Sequence, residues 1–166
     1  MISRFGQIVK SLPVLAPVDI GATATKTAIV NMSGAHRATF SVQFGNIAAA
    51  SADQSVTVTL LAATGAATTG ATAIAFKYRL SGAVATDTLG SITDATSSGV
   101  AIATTDDGKM LMIDVDPAVA RSANTDKDCS YAYVLITPDV GGTATLVSAR
   151  CDIEPRYAQN SMVSAS

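Results

Sequence analysis

One histidine, two close pairs of aspartates and two cysteines are the side chains best suited to chemistry in this chain. His36 is the single imidazole, the group most often used for acid/base work near neutral pH. A hydrolase triad or a zinc site needs further partners, and His36 opens a strand just after a turn, where a surface or rim residue is expected. Asp106/Asp107 and Asp114/Asp116 are carboxylate pairs that in principle suit glycoside hydrolysis. The first pair lies in a turn and the second at a strand end before Pro117, both ordinary places for aspartate.

The segment Asn124-Thr125-Asp126-Lys127-Asp128 offers oxygen ligands at the first, third and fifth positions of a calcium loop. Its sixth position, which should be glycine, is Cys129, and its twelfth, which should be glutamate, is Leu135. It therefore reads as a solvated loop. Gly65 and Gly70 sit in Ala/Thr-rich sequence without a following Lys, so no phosphate cradle is formed. Cys129 and Cys151 are too few for a disulfide framework and lack metal-ligand spacing; reduced, half-buried thiols are expected. A hairpin turning at Asp139-Val140-Gly141-Gly142 would set them nearly opposite and permit a cross-strand bridge, unless a one-residue bulge parts their faces. The expectation is a non-enzyme with no catalytic, cofactor-binding or metal-binding residues.

The elements that would position these groups follow from an alternation of period two. From His36 to Phe44, Ala38, Phe40, Val42 and Phe44 share one face, and Arg37, Thr39, Ser41 and Gln43 the other. Val56–Leu60, Phe76–Leu80 and Tyr131–Leu135 repeat the pattern, and Lys109 to Val115 puts Leu111, Ile113 and Val115 on one side. Thr27–Met32, Gly99–Thr104 and Thr143–Ile153 are further β-rich runs. The Asp106-Asp107-Gly108 turn joins two strands closely enough for a hairpin. Ala62–Ala75 reads as a strand end and a long loop, and Ala83–Ser98 is of similar composition. Helical patterns are confined to Ile2–Leu12 and a single turn at Pro117–Ser122.

The predicted fold is all-β: an antiparallel β-sandwich of jelly-roll type with about eight strands and an N-terminal arm. A closed up-and-down barrel is the alternative. The predicted organisation is an arm at 1–17, a sandwich at 18–158 and a flexible tail at 159–166.

Composition limits the partners. Hydrophobic residues make up 48% of the 166, but aromatics only 5% with no Trp, so Ala, Val, Ile and Leu must fill the core. Such a core gains less per residue than an aromatic one, and association is expected to supply part of the stability. Net charge is −2, and the eleven Lys and Arg are scattered from Arg4 to Arg156, which argues against direct nucleic-acid binding. Glu154 is the sole glutamate against twelve aspartates, a balance that favours turns over helices. No apolar run reaches the roughly 18 residues of a membrane span. Lys10, Ser11, Pro13 and Pro17 break up the N-terminal segment, so no secretory leader is expected and synthesis is placed in the cytoplasm.

The best candidate for partner contact is the set Phe5, Ile8, Val9 and Leu12, which recurs at helical spacing. Such a segment either packs on its own domain or docks as an arm on a neighbouring subunit. Three stretches carry a resemblance: Val18-Asp19-Ile20-Gly21-Ala22-Thr23-Ala24-Thr25-Lys26-Thr27, the strand from His36 to Phe44, and Cys151-Asp152-Ile153-Glu154-Pro155-Arg156-Tyr157-Ala158. Together they are similar to small virion proteins of tailed bacteriophages, and most like a capsid decoration (cement) protein. The resemblance implies a β-rich structural protein on the capsid exterior that binds the major capsid protein and forms a homo-oligomer, a trimer by preference. It supplies no motif from which a functional residue can be carried over. The alternatives are another virion component (head–tail connector, tail or fibre domain) or a carbohydrate-binding surface module.

Overall fold

Alternation becomes structure most directly in the strand built from Ala35 to Ala49. There Ala38, Phe40, Val42 and Phe44 are wholly buried, while Arg37 and Gln43 remain exposed. Burying one such large apolar side chain stabilises the fold by roughly 1.5–3 kcal/mol, so a one-residue slip of this strand would be severely penalised. The structure is a computed structural model that describes residues 9–49, 55–84, 86–123, 129–139 and 142–156.

Twelve strands occur among the described residues. They are β1 (Lys10–Asp19), β2 (Thr25–Lys26), β3 (Val30–Asn31), β4 (Ala35–Ala49), β5 (Ser55–Ala63) and β6 (Thr72–Ile74). After these come β7 (Phe76–Leu80), β8 (Thr93–Ala95), β9 (Val100–Ala103), β10 (Met110–Val115), β11 (Tyr131–Pro138) and β12 (Gly142–Pro155). One short helix, α1 (Pro117–Arg121), follows β10. Its first turn is capped by the Asp116 carboxylate, which accepts from Ala118 N at 2.8 Å, with Pro117 at the first helical position. Among the described residues no helix is long and apolar enough to cross a membrane.

The strands form two antiparallel layers. Sheet A has the order β1-β12-β4-β10-β7-β8; sheet B has β2-β11-β5-β6, with β3 also on β11 and β9 also on β5. Between them lie Phe40 and Phe44 of β4, Val58 and Leu60 of β5, Leu111 and Ile113 of β10, and Val134 and Ile136 of β11. An all-β sandwich is therefore what the alternation specified. The strand count is twelve, not about eight, because short runs such as Thr72–Ile74 and Thr93–Ala95 pair as edge strands inside segments that read as loops. The jelly-roll order expected of eight strands is not established by this arrangement.

Three expectations are corrected. The helix expected over Ile2–Leu12 and the arm expected over 1–17 both give way to strand from Lys10 onward. There Leu12 pairs with Cys151 and Pro13 with Arg150 on the edge of sheet A. Pro13 and Pro17 disfavour a helix but are tolerated on an edge, where an N–H is dispensable. Residues 10–17 thus belong to the sandwich, and the expected boundary at 17/18 falls inside β1. Ala28 N donates to Val14 O at 2.7 Å, linking the β2–β3 connection to this edge. At the end of β1, Asp19 Oδ1 accepts from Gly21 N and Thr145 N, both at 2.9 Å, and these bonds hold its carboxyl below the usual value. Residues 1–8 and the tail 159–166 lie outside the described residues.

The second correction concerns Asp106-Asp107-Gly108, which is not the turn of a hairpin. β9 pairs with β5 in sheet B, and β10 pairs with β4 and β7 in sheet A, so the segment carries the chain from one layer to the other. A 3₁₀ turn at Thr104–Asp106 opens the crossing, and Gly108 supplies the positive φ of 73° that completes it.

The third concerns the cysteines. β11 belongs to sheet B and β12 to sheet A, so the two do not form a hairpin across residues 139–142. Cys151 sits between Leu12 and Phe40 in sheet A, whereas Cys129 precedes β11. Both are fully buried, not half-buried, and neither forms a disulfide.

Candidate binding cleft at a corner of the sandwich

At one corner the chain changes sheet twice. β6 runs through Ala75 into β7, and β8 turns at Thr96–Gly99 into β9. Gly99 N donates to Thr96 O at 3.0 Å, and Gly99 holds a φ of 89°. A Cβ on Gly99 would lie 2.4 Å from Val58 O, so this turn requires glycine. Nearby β10 ends at Val115 and the chain bends through Asp116 into α1.

These elements enclose a cleft of about 1100 Å³. Leu60, Ile74, Phe76, Ala95, Val115 and Pro117 give it an apolar floor, and Val119 of α1, 47% exposed, forms part of its lip. His36, Arg37, Lys77, Asp94, Asp114, Asp116 and Arg156 supply the polar lining.

Most of those polar groups are already engaged. Arg37 Nη2 pairs with Asp114 Oδ2 at 2.8 Å, and Asp114 Oδ1 accepts from Thr39 Oγ1 at 3.0 Å. Lys77 Nζ pairs with Asp94 Oδ1 at 2.6 Å. Asp116 caps α1, and Arg156 Nε donates to Ala35 O at 3.1 Å. What remains free to bind is mainly apolar surface, ringed by charges held in ion pairs (Arg37–Asp114, Lys77–Asp94) or on backbone groups (Asp116, Arg156). That arrangement suits an apolar group delivered from outside, with the rim setting its orientation.

The residues singled out from sequence fall in different places. His36 is exposed at the rim of the cleft, as expected of it. Asp114 and Asp116 also line the cleft, in the structural roles just described. In the other carboxylate pair, Asp106 binds Lys109 Nζ at 2.7 Å and accepts from Ala103 N at 3.1 Å, and Asp107 accepts from Ile47 N at 2.8 Å. Among the described residues no three His, Cys, Asp or Glu side chains gather as a metal site.

Of the proposed partner contacts, Phe5 and Ile8 lie outside the described residues, as does the loop Asn124–Asp128. Val9 is half-buried in a second, smaller groove with Thr39 and Met112, and Leu12 packs against the core. A strand beginning at Lys10 thus replaces the single helical face that Val9 and Leu12 were expected to share. The cleft itself was not anticipated. Its floor comes from β5, the β6–β7 pair, β8, and the β10–α1 junction, segments spread over some sixty residues of sequence between Leu60 and Val119. The one signal available was Val119, an apolar residue on the outside of a one-turn helix.

No family model matches the chain, and no curated protein does. Among solved structures, a chain from the structure of the infectious bursal disease virus Gx strain is similar at 10% identity and a TM-score of 0.26. The match covers 89% of this chain and 41% of that one. At that score it carries no argument for fold or function.

Proposed function

We propose that this chain is a non-enzymatic structural protein of a tailed-phage virion, one that decorates the capsid exterior and stabilises it by binding the major capsid protein. The observation that carries the reading is the corner cleft: a large apolar recess whose rim charges are already engaged in ion pairs or backbone hydrogen bonds. Such a recess is built to receive apolar side chains of a protein partner, since apolar anchors seated in pockets supply most of the binding energy at protein interfaces. The sandwich around it supplies the scaffold, and the resemblance of three stretches to phage virion proteins is what favours the major capsid protein as that partner. Among the described residues the aromatic rings are buried or half-buried. Among those residues, the carbohydrate-binding alternative finds no fully exposed ring on which a sugar could stack.

The test is binding to phage heads that lack the protein. Wild-type chain is expected to bind them and raise their melting temperature; no binding would reject decoration. Val119→Asp, at the cleft lip, is expected to weaken binding at least about tenfold, equivalent to ~1.4 kcal/mol. Unchanged affinity in that variant would move the contact away from the cleft.

A further inference from the structure

The second, smaller groove, of about 360 Å³, crosses the outer face of sheet A. Strands β12, β4, β10 and β7 each contribute to its floor. Val9 and Leu89 also line it, and the strand order sets them at opposite ends, one just ahead of β1 and the other beyond β7. Midway lies Met112 of β10, half-buried. The groove holds three carboxylates, on Asp114, Asp152 and Glu154, against two guanidinium groups, on Arg37 and Arg79. Arg37 pairs with Asp114 and Arg150 with Asp152, whereas Glu154 has no ion-pair partner among the described residues.

The Leu89 end is the more apolar one. Val84, Leu89 and Ile92, on the loop between β7 and β8, are 71%, 48% and 53% exposed. They are half of the large apolar side chains left exposed among the described residues. The loop is also fixed in place: Gly90 N donates to Leu80 O and Gly82 N to Thr88 O, both at 2.8 Å. Leu89 is thus a standing wall with an uncovered apolar flank.

We infer that the groove seats residues 1–8 of the same chain, which cross sheet A from β1 towards Leu89. The described chain begins at Val9, inside the groove, so the preceding residues set out from one of its ends. Four strand spacings separate β1 from β7, roughly 19 Å, and eight extended residues reach roughly 26 Å. Ile2, Phe5 and Ile8 bring apolar side chains to Met112 and to the exposed flank of Leu89. The one charged side chain of the segment, Arg4, is a cation, and it joins a groove in which carboxylates are in excess. The same chain is favoured over a second copy because the tether at Val9 holds the segment at an effective concentration on the order of millimolar. The inference stands apart from the function proposed for the corner cleft.

Tryptophan fluorescence tests it, since the chain has no Trp of its own. Phe5→Trp is expected to emit to the blue of free tryptophan and to be quenched by iodide several-fold more weakly, with neither property changing on dilution. Leu89→Asp, at an exposed position, and Met112→Asp, at the centre of the groove, are each added to this reporter chain. Both are expected to shift the emission to the red and restore quenching, with the far-ultraviolet spectrum unchanged. Solvent-like emission from Phe5→Trp alone would overturn the inference. Shielding that fades on dilution would overturn it too, by seating the segment on another copy, as would shielding that survives both groove substitutions.

Discussion

Cys151 shows how far one side chain's behaviour is set by its surroundings. It lies in β12 between Leu12 and Phe40, and burial, with the Asp152 charge adding to it, pushes its thiol up to about 12 from an ordinary value of 9.0. A raised pKa on an acid means the unfolded chain ionises first. The stability tied to the protonated thiol is complete below pH 9 and is lost as pH rises from there towards 12. Cys151→Ala is therefore expected to flatten the fall of the urea midpoint across that window. One proton's linkage amounts to at most about 1.4 kcal/mol per pH unit. Tyr133, whose phenol burial also raises, titrates in both proteins and cancels in the comparison. Parallel pH curves for wild type and variant would contradict this account. The exposure of His36 was legible from its place after a turn. Full burial of both thiols was not, because it depends on which strands pack over them.

At the scale of elements, alternation located β4, β5, β7 and β10 to within a few residues, and the Asp-Pro signal placed α1. These are local consequences of side-chain period and capping. The connections were less legible. Asp106-Asp107-Gly108 has the composition of a hairpin turn, but its flanking strands separate into different sheets because each finds a longer partner there. The corner turn at Gly99 makes a direct test. Gly99→Ala must hold a side chain at positive φ against the Val58 carbonyl, and is expected to destabilise by about 2 kcal/mol or more. Gly34→Ala, where a Cβ meets nothing within 4 Å, is expected to change stability by less than about 1 kcal/mol. Denaturant midpoints check both. Equal effects would mean the corner relaxes around the added methyl.

Across the whole molecule, the last strand joins the first. β12 lies in sheet A between β1 and β4, pairing Cys151 with both Leu12 and Phe40. The fold is therefore closed only when the end of the described chain is in place, and most of its pairing is non-local. A chain ending at Asp139 is expected to lack a cooperative thermal transition, since β1 and β4 lose their shared neighbour and the core loses the buried Val147, Ala149, Cys151 and Ile153 of β12. A sharp calorimetric transition in that truncation would show instead that sheet B folds alone. The same non-locality brings Leu60, the Ile74/Phe76 pair and the Val115/Val119 pair, from three separate stretches of the chain, to one cleft.

The amino-acid sequence alone determined the all-β class, the inward faces of the main strands and the placement of the short helix. These depend on periods of two and on caps, which a few neighbouring residues specify. Only the tertiary structure decided that β1 is sheet and not arm, that β11 and β12 part company, and that a cleft opens at the corner. Short apolar runs of similar composition are interchangeable as partners until the whole core is packed. Pairing is then chosen by the total surface buried across both layers, and no local stretch of sequence encodes that sum.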